Sequence, residues 1–394
     1  MISLSRYAEL LRRPELKATF IASLIGRLPI GLTGLSILLL VQNVSGSFAS
    51  GGAAAAAYVA GLACVAPLLG RLIDRSGPRG VLFFCAFAFP AALLALVLAV
   101  SMEVHASLSL AIAFAAGAGF PPITVCMRTF LRRRLGEEPL LATAYSLESV
   151  LIETIFIAGP LLVALFVALA SASAAVLFAA VCALTGTLLF LRSPALVHWR
   201  TEPRPRANLF GPLAEDGFIS LLVVVLCYSV AFGLVEIGIT AFTVEAGSPA
   251  LAGVILGLMS AGSVAGGLAY GSRSWRAPLA RQFAATLALL GGGVALLTFI
   301  SSTWLFAVLS MFAGIVMAPA LTIQTILVAK TASPQFATEA FTWSATGLLS
   351  GIGLGMALGG WLIELWSSAA TFAAAAVAAL SAGALALRSR GDAG

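Results

Sequence analysis

Apolar residues in this chain come in long runs separated by short polar breaks. Twelve runs are each about 20 residues long, the length needed to cross a ~30 Å hydrocarbon core. They predict helices over 18–41, 51–71, 80–100, 106–130, 140–167, 172–191, 217–243, 250–271, 281–301, 304–329, 337–363 and 367–387, numbered here as spans 1 to 12. The first run is too long for a signal-peptide core and has no small-residue cleavage site behind it, so it reads as a retained helix. Ahead of it Leu4, Tyr7, Ala8 and Leu11 fall at helical spacing beside Arg6, Arg12 and Arg13. That pattern suits either a short helix on the membrane surface or a simple basic flank.

The polar breaks alternate in charge. Arg6, Arg12, Arg13 and Lys17 precede span 1, and Arg71, Arg75 and Arg79 follow span 2. Arg132–Arg134 follow span 4; Arg192, Arg200, Arg204 and Arg206 follow span 6; Arg273, Arg276 and Arg281 follow span 8. Lys330 follows span 10, and Arg388 and Arg390 follow span 12. The breaks near 42–50, 101–105, 168–171, 244–249, 302–303 and 364–366 hold no Lys or Arg. Positive residues mark the inner side, so the pattern predicts a multi-pass protein of the cell membrane with both termini in the cytoplasm. One break is long: 193–216 carries Pro194, Pro203, Pro205 and Pro212 with mixed charges. It reads as a flexible cytoplasmic linker between two six-helix bundles, 1–192 and 217–394.

Composition agrees. Charged residues make up 10% of the chain and hydrophobic ones 60%, with a mean hydropathy of +1.06; a soluble domain carries about 25% charged residues. The net charge of +6 is accounted for by the inner-side breaks. Nucleic acid is thereby excluded as a partner, and the surroundings are membrane lipids. Cys64, Cys85, Cys126, Cys182 and Cys227 all sit inside apolar runs without C-x-x-C spacing, as small buried hydrophobes. His105 and His198 have no ligand cluster around them, which leaves no case for a metal site. No G-x-x-x-x-G-K-[ST] motif supplies a nucleotide site, so the expectation is no cofactor and an ion gradient as the source of energy.

Between spans 2 and 3 lies Gly70-Arg71-Leu72-Ile73-Asp74-Arg75-Ser76-Gly77-Pro78-Arg79, a cluster of one acid and three arginines set between two long apolar runs. Charges at a bilayer centre cost roughly 2.5–3.5 kcal/mol each on insertion scales, so the cluster belongs at a surface turn, broken by Gly77-Pro78. The chain also repeats itself. Ala144-Tyr145-Ser146-Leu147 opens span 5 as Ala340-Phe341-Thr342-Trp343 opens span 11, and Gly117 and Pro122 of span 4 match Gly314 and Pro319 of span 10. At the same offset Gly70 falls on Gly266 while Asp74 falls on Tyr270, a degenerate second copy of the loop. The G-x-L-x-D-R-x-G-x-R pattern, the twelve spans, the linker and the repeat resemble the major facilitator superfamily, and the spacing around Arg27-Leu28-Pro29 with the glutamates of span 5 gives a general likeness to its actinobacterial efflux-type members. The resemblance implies an all-α fold of two pseudo-symmetric six-helix bundles. It also implies a small-molecule substrate bound near the midplane, alternating access rather than enzymatic catalysis, and a monomer. It further implies a gating role for Gly70, Asp74, Arg75, Gly77 and Arg79, with Asp74 facing the start of span 11, where a negative charge suits a helix N-terminus.

Ionisable residues inside spans are the candidates for chemistry, because a buried charge must be paired or used. Arg27 in span 1 and Glu148 in span 5 lie at matching depth, which predicts a pair; Glu153 lies deeper and about 140° around the helix, which leaves it as the candidate proton carrier. All three could equally form a static network. Arg128 joins this set or snorkels to the inner surface. Glu236 in span 7 lies toward the outer surface, lining the substrate cavity or merely exposed; Gln324 in span 10 binds substrate or makes a local interhelical bond. Gly159-Pro160 is either a proline kink of span 5 or a partial copy of the helix-5 motif of drug/proton antiporters. The glycines at 347, 351, 355 and 359 predict close helix packing. These features point first to proton-coupled efflux of small amphipathic compounds. The alternatives are a proton-coupled importer of a sugar or amino acid, or a non-transporting receptor or channel on the same fold.

Overall fold

The computed structural model describes residues 5–46, 48–136, 140–193, 196, 199, 210–248 and 251–388. The expected linker lies mostly outside the described residues, with His198, Arg200, Arg204 and Arg206, as does Arg390. Among the described residues, twelve helical spans are long and apolar enough to cross a membrane. They are Pro14–Ser45, Ser50–Ser76, Pro78–Ser101, Ala106–Leu135, Leu140–Leu169 and Ala172–Leu191, then Phe218–Glu245, Leu251–Gly271, Leu279–Leu297, Thr303–Thr331, Pro334–Leu365 and Ser368–Arg388. An additional short helix, Ser5–Arg12, precedes them, with Tyr7 and Leu10 buried.

Helix ends follow local chemistry. Gly46 closes span 1 in the left-handed conformation, with its N–H bonded to the Gln42 carbonyl. Gly77, at φ +85°, turns the chain sharply so that Pro78 can open span 3, where its missing N–H costs nothing. The Glu245 carboxylate at the end of span 7 accepts from the Ser368 N–H at 2.8 Å and so caps span 12.

Three spans depart from the continuous helices read from hydropathy. Span 1 is broken between Arg27 and Pro29, because proline supplies no N–H to the turn before it. Span 4 divides into Ala106–Ala118 and Ile123–Leu135 around Gly119-Phe120-Pro121-Pro122, and span 10 divides at its repeat-related position, between Gly314 and Met317. Two adjacent prolines explain the break in span 4, whereas Pro319 sits one turn beyond the break in span 10.

The buried apolar side chains form three clusters, and their placement defines the shape. One lies within spans 1–6, built around Leu32, Tyr58, Phe89 and Val176; another lies within spans 7–12, around Leu234, Phe242, Phe306 and Phe372. The third is shared by both halves at the arginine-rich face, where Phe20, Phe130 and Tyr145 join Tyr228, Phe283 and Phe341. Tyr145 and Phe341, equivalent positions of the repeat, meet edge to face with centroids 6.4 Å apart.

Toward the opposite face the halves part. Thr346 of span 11 donates to the Ala63 carbonyl of span 2, but Gly353, two turns further on the same stripe, has open space beyond its Cα. Gly257 is likewise open, one turn beyond Ser260 on span 8. The chain is therefore closed at its arginine-rich face and splayed at the other. Within each half, close crossings are made by glycine. Gly31 and Gly159 bring spans 1 and 5 into backbone contact, and Gly351, Gly355 and Gly359 seat span 11 on span 7.

The end of the expected linker is docked rather than loose. Gly211–Ala214 forms a 3-10 turn against the Glu339 carboxylate, and Glu215 accepts from the Ser333 N–H at 2.8 Å.

Candidate functional site: the closed face and the polar layer above it

Span 2 ends against the start of span 11. Gly70 permits the approach, since a methyl group there would lie 3.0 Å from the Glu339 Cα. One turn on, Asp74 is 3% exposed and accepts the N–H groups of Thr338 and Glu339 at 3.1 and 2.8 Å. These are orphan donors of the first turn of span 11, so a buried carboxylate there is held by both hydrogen bonds and helix dipole. Arg71 completes the contact, its guanidinium reaching Glu339 Oε1 at 2.6 Å. Arg75 and Arg79 are exposed, and Gly77 serves the turn. Two more bonds cross the halves nearby: Thr129 to Thr338 at 3.2 Å, and Arg132 Nη2 to the Ala332 carbonyl at 2.6 Å.

At the arginine-rich end the repeat-related contact, span 5 against span 8, is made among the described residues by neutral groups. Tyr270 stands where Asp74 would and turns away to stack on Trp275. In its place Thr143 Oγ1 donates to the Gly271 carbonyl at 2.7 Å and Ser146 donates to the Gly267 carbonyl. Tyr7 of the short first helix inserts its hydroxyl here, 3.2 Å from Ser146 Oγ, 3.3 Å from the Gly267 carbonyl and 3.1 Å from that of Leu268. The first helix thus bridges both halves. Tyr7→Phe keeps the packing and removes these bonds, a loss of about 0.5–1.5 kcal/mol. Amide hydrogen exchange over residues 5–12 should accelerate up to about tenfold; an unchanged rate would mean that the hydroxyl holds nothing.

A polar layer lies above this closure. Arg27 and Glu148 form a fully buried bidentate pair, with Nη1 to Oε2 at 2.7 Å and Nη2 to Oε1 at 3.0 Å. Ser23 accepts two further guanidinium donors, at 3.1 Å through its hydroxyl and 3.2 Å through its carbonyl. Arg128 lies beside this pair with Tyr145 and Tyr228 as its other electrostatic neighbours. It is 8% exposed and its side chain lies among these groups, so it is held in the interior rather than extended to the arginine-rich surface. Across the interface Tyr228 donates to Gln324 Oε1, and Gln324 Nε2 donates to Ser344 Oγ at 2.6 Å.

Glu153 stands apart from Arg27. It is buried near the middle of span 5, where the side chains of Ser260 and Ser263 on span 8 face it, and none of the described cations forms an ion pair with it. Gly159 serves the crossing with span 1, and Pro160 is exposed. Glu236 is exposed, about 27 Å along span 7 from Phe218. Among the described residues no His, Cys, Asp and Glu cluster could hold a metal ion.

Sequence reasoning missed Arg71, Glu339, Tyr7 and Tyr228. Glu339 carried one legible signal, an acid in the first helical turn of span 11 opposite a basic loop; Tyr7 and Tyr228 carried none beyond their apolar surroundings.

Comparison with known proteins places this geometry. The human organic anion transporter MFSD10 (TETRAN) superposes with a TM-score of 0.74 at 18% identity, over 94% of this chain and 98% of that one. A bacterial homologue of the iron transporter ferroportin, in an outward-facing state, gives 0.76 at 14% over 95% and 98%. The E. coli fucose:proton symporter gives 0.73 at 13% over 95% and 98%. No curated protein matches the chain in sequence. The model of the Major Facilitator Superfamily matches residues 19–281, two thirds of the sequence. The chain belongs to the major facilitator superfamily, whose members are membrane transporters rather than enzymes.

Proposed function

We propose that this protein is a proton-coupled exporter of small amphipathic molecules, working by alternating access with its arginine-rich face in the cytoplasm. The observation that carries the reading is Glu153, a buried carboxyl group at the contact between the halves whose partners are hydroxyls of the opposite half. Hydroxyls donate to a carboxylate and accept from a carboxylic acid, so the site suits both protonation states. Because Ser260 and Ser263 belong to the other half, any rocking motion changes the surroundings of Glu153 and couples its proton to the conformational cycle. The Asp74 and Arg71 contacts then act as the cytoplasmic gate, and the splayed opposite face is the outward-open state. Export rests on the partial resemblance of Gly159-Pro160 to the helix-5 motif of drug/proton antiporters. The structural neighbours handle an organic anion, iron and fucose, so their likeness supports the carrier fold and leaves the substrate class to this chain's own residues.

The test is substrate counterflow in proteoliposomes with a pH-sensitive dye inside. Wild-type protein should exchange substrate and move protons with it; Glu153→Gln should retain exchange but lose proton movement and the pH dependence of net transport. Unchanged proton movement in Glu153→Gln would overturn the assignment, and flux without stimulation from the far side would identify a channel.

A further inference from the structure

The polar layer carries one more positive charge than it uses. Arg27 and Glu148 pair with each other: both carboxylate oxygens accept from the guanidinium, and two further Arg27 donors go to Ser23. Arg128 is 8% exposed, yet its guanidinium makes no hydrogen bond or ion pair with any described residue, and its buried Nε is unpartnered. Glu148 attracts it through space, while Arg27 repels it. An unpaired cation in such a place costs several kcal/mol and is retained only where something neutralises it.

The surroundings define what that is. Tyr145, whose hydroxyl donates to the Arg128 carbonyl at 3.2 Å, and Tyr228 of the second half are the aromatic residues within electrostatic reach of Arg128, and Phe341 stands edge-on to Tyr145. Gln324 lies beyond Tyr228 in the second half. The guanidinium offers parallel N–H donors, a fork that matches the two oxygens of a carboxylate. The aromatic character of these neighbours suits a flat apolar body.

We propose that Arg128 is the binding residue for the anionic group of the transported molecule, and that the substrate class is small aromatic or amphipathic carboxylates. This rests on the carrier reading above and narrows its substrate. Arg128 belongs to span 4 and Tyr228 to span 7, so a molecule held between them touches both halves. Its charge is neutralised at the level where the halves meet.

The experiment uses the full chain, purified in detergent. Thermal unfolding is followed with benzoate, phenylacetate and 4-phenylbutyrate, each beside its own primary amide. The acids should raise the melting temperature by a few degrees, and the amides should not. Arg128→Gln should unfold at the same or a higher temperature than wild type without ligand, because a buried unpaired charge has been removed, and it should lose the acid-specific shift. Arg128→Lys keeps the charge but not the fork, and should weaken acid binding about tenfold.

Acids and amides acting alike, or neither acting, overturns the proposal. So does an Arg128→Gln protein that keeps its preference for acids, or one that is less stable without ligand, which would make Arg128 a structural residue. Counterflow separates the two readings. Exchange of neutral or cationic solutes without acid binding leaves the carrier reading standing and removes this one. Acid binding through Arg128 without any exchange does the reverse.

Discussion

Glu148→Gln is expected to destabilise the protein by about 3–5 kcal/mol, the cost of breaking a buried ion pair from one side. The substitution leaves Arg27 facing a neutral amide, with Arg128 close by and no acid between them. Arg27→Met should cost less, because the freed Glu148 carboxylate can then turn to Arg128. The double variant Arg27→Met/Glu148→Met should recover most of the lost stability, since an apolar pair of similar volume needs no desolvation. Thermal unfolding of the four proteins in one detergent measures the cycle. A Glu148→Gln protein as stable as wild type, or a double variant less stable than both single ones, would show that the pair is not an isolated unit.

Asp74→Asn should shift the balance between the closed and open arginine-rich face by one to two orders of magnitude. The carboxylate accepts two backbone N–H groups, and charge-assisted bonds of this kind contribute about 1.5–3 kcal/mol each. Asparagine offers one acceptor oxygen and turns an NH₂ group toward a helix end that already presents donors. Arg71 compensates little: it is partly exposed, and its pair with Glu339 is screened by water. A cysteine at Thr322, which bonds Ser149 across the interface at 3.0 Å, reports the opening. In a background without the five native cysteines, its labelling by a maleimide applied from the arginine-rich side should accelerate at least tenfold in Asp74→Asn. An unchanged rate would show that Asp74 does not hold the face shut.

Much of the fold was written in the chain because a bilayer leaves few choices: apolar runs of membrane length must become helices that satisfy their own backbone groups. That reasoning is blind to interruptions inside a span. Gly119-Phe120-Pro121-Pro122 breaks span 4 in mid-membrane, and the hydropathy of four small or apolar residues gives no sign of it. At the site, matched helical depth was enough to associate Arg27 with Glu148, since two charges at one level have few alternatives to each other. The contacts of Tyr7 and of Glu339 depend on how two halves distant in sequence meet, and no spacing within either half encodes that. Arg128 was ambiguous for a related reason: whether its side chain turns inward or toward the surface depends on the neighbours that span 5 and the second half supply, which spacing within span 4 does not encode.

The two seams of the closed face differ in material. Spans 2 and 11 are joined by carboxylates and an arginine, whereas spans 5 and 8 are joined by hydroxyls on carbonyl oxygens, with Tyr7 wedged among them. Dissolved ions weaken the first kind of seam where it meets water and leave the second almost untouched. The doorway therefore has a latch on one jamb and a hinge on the other. Rising ionic strength loosens only the latch, and the first movement of opening becomes a swing about the edge where the short first helix is tucked.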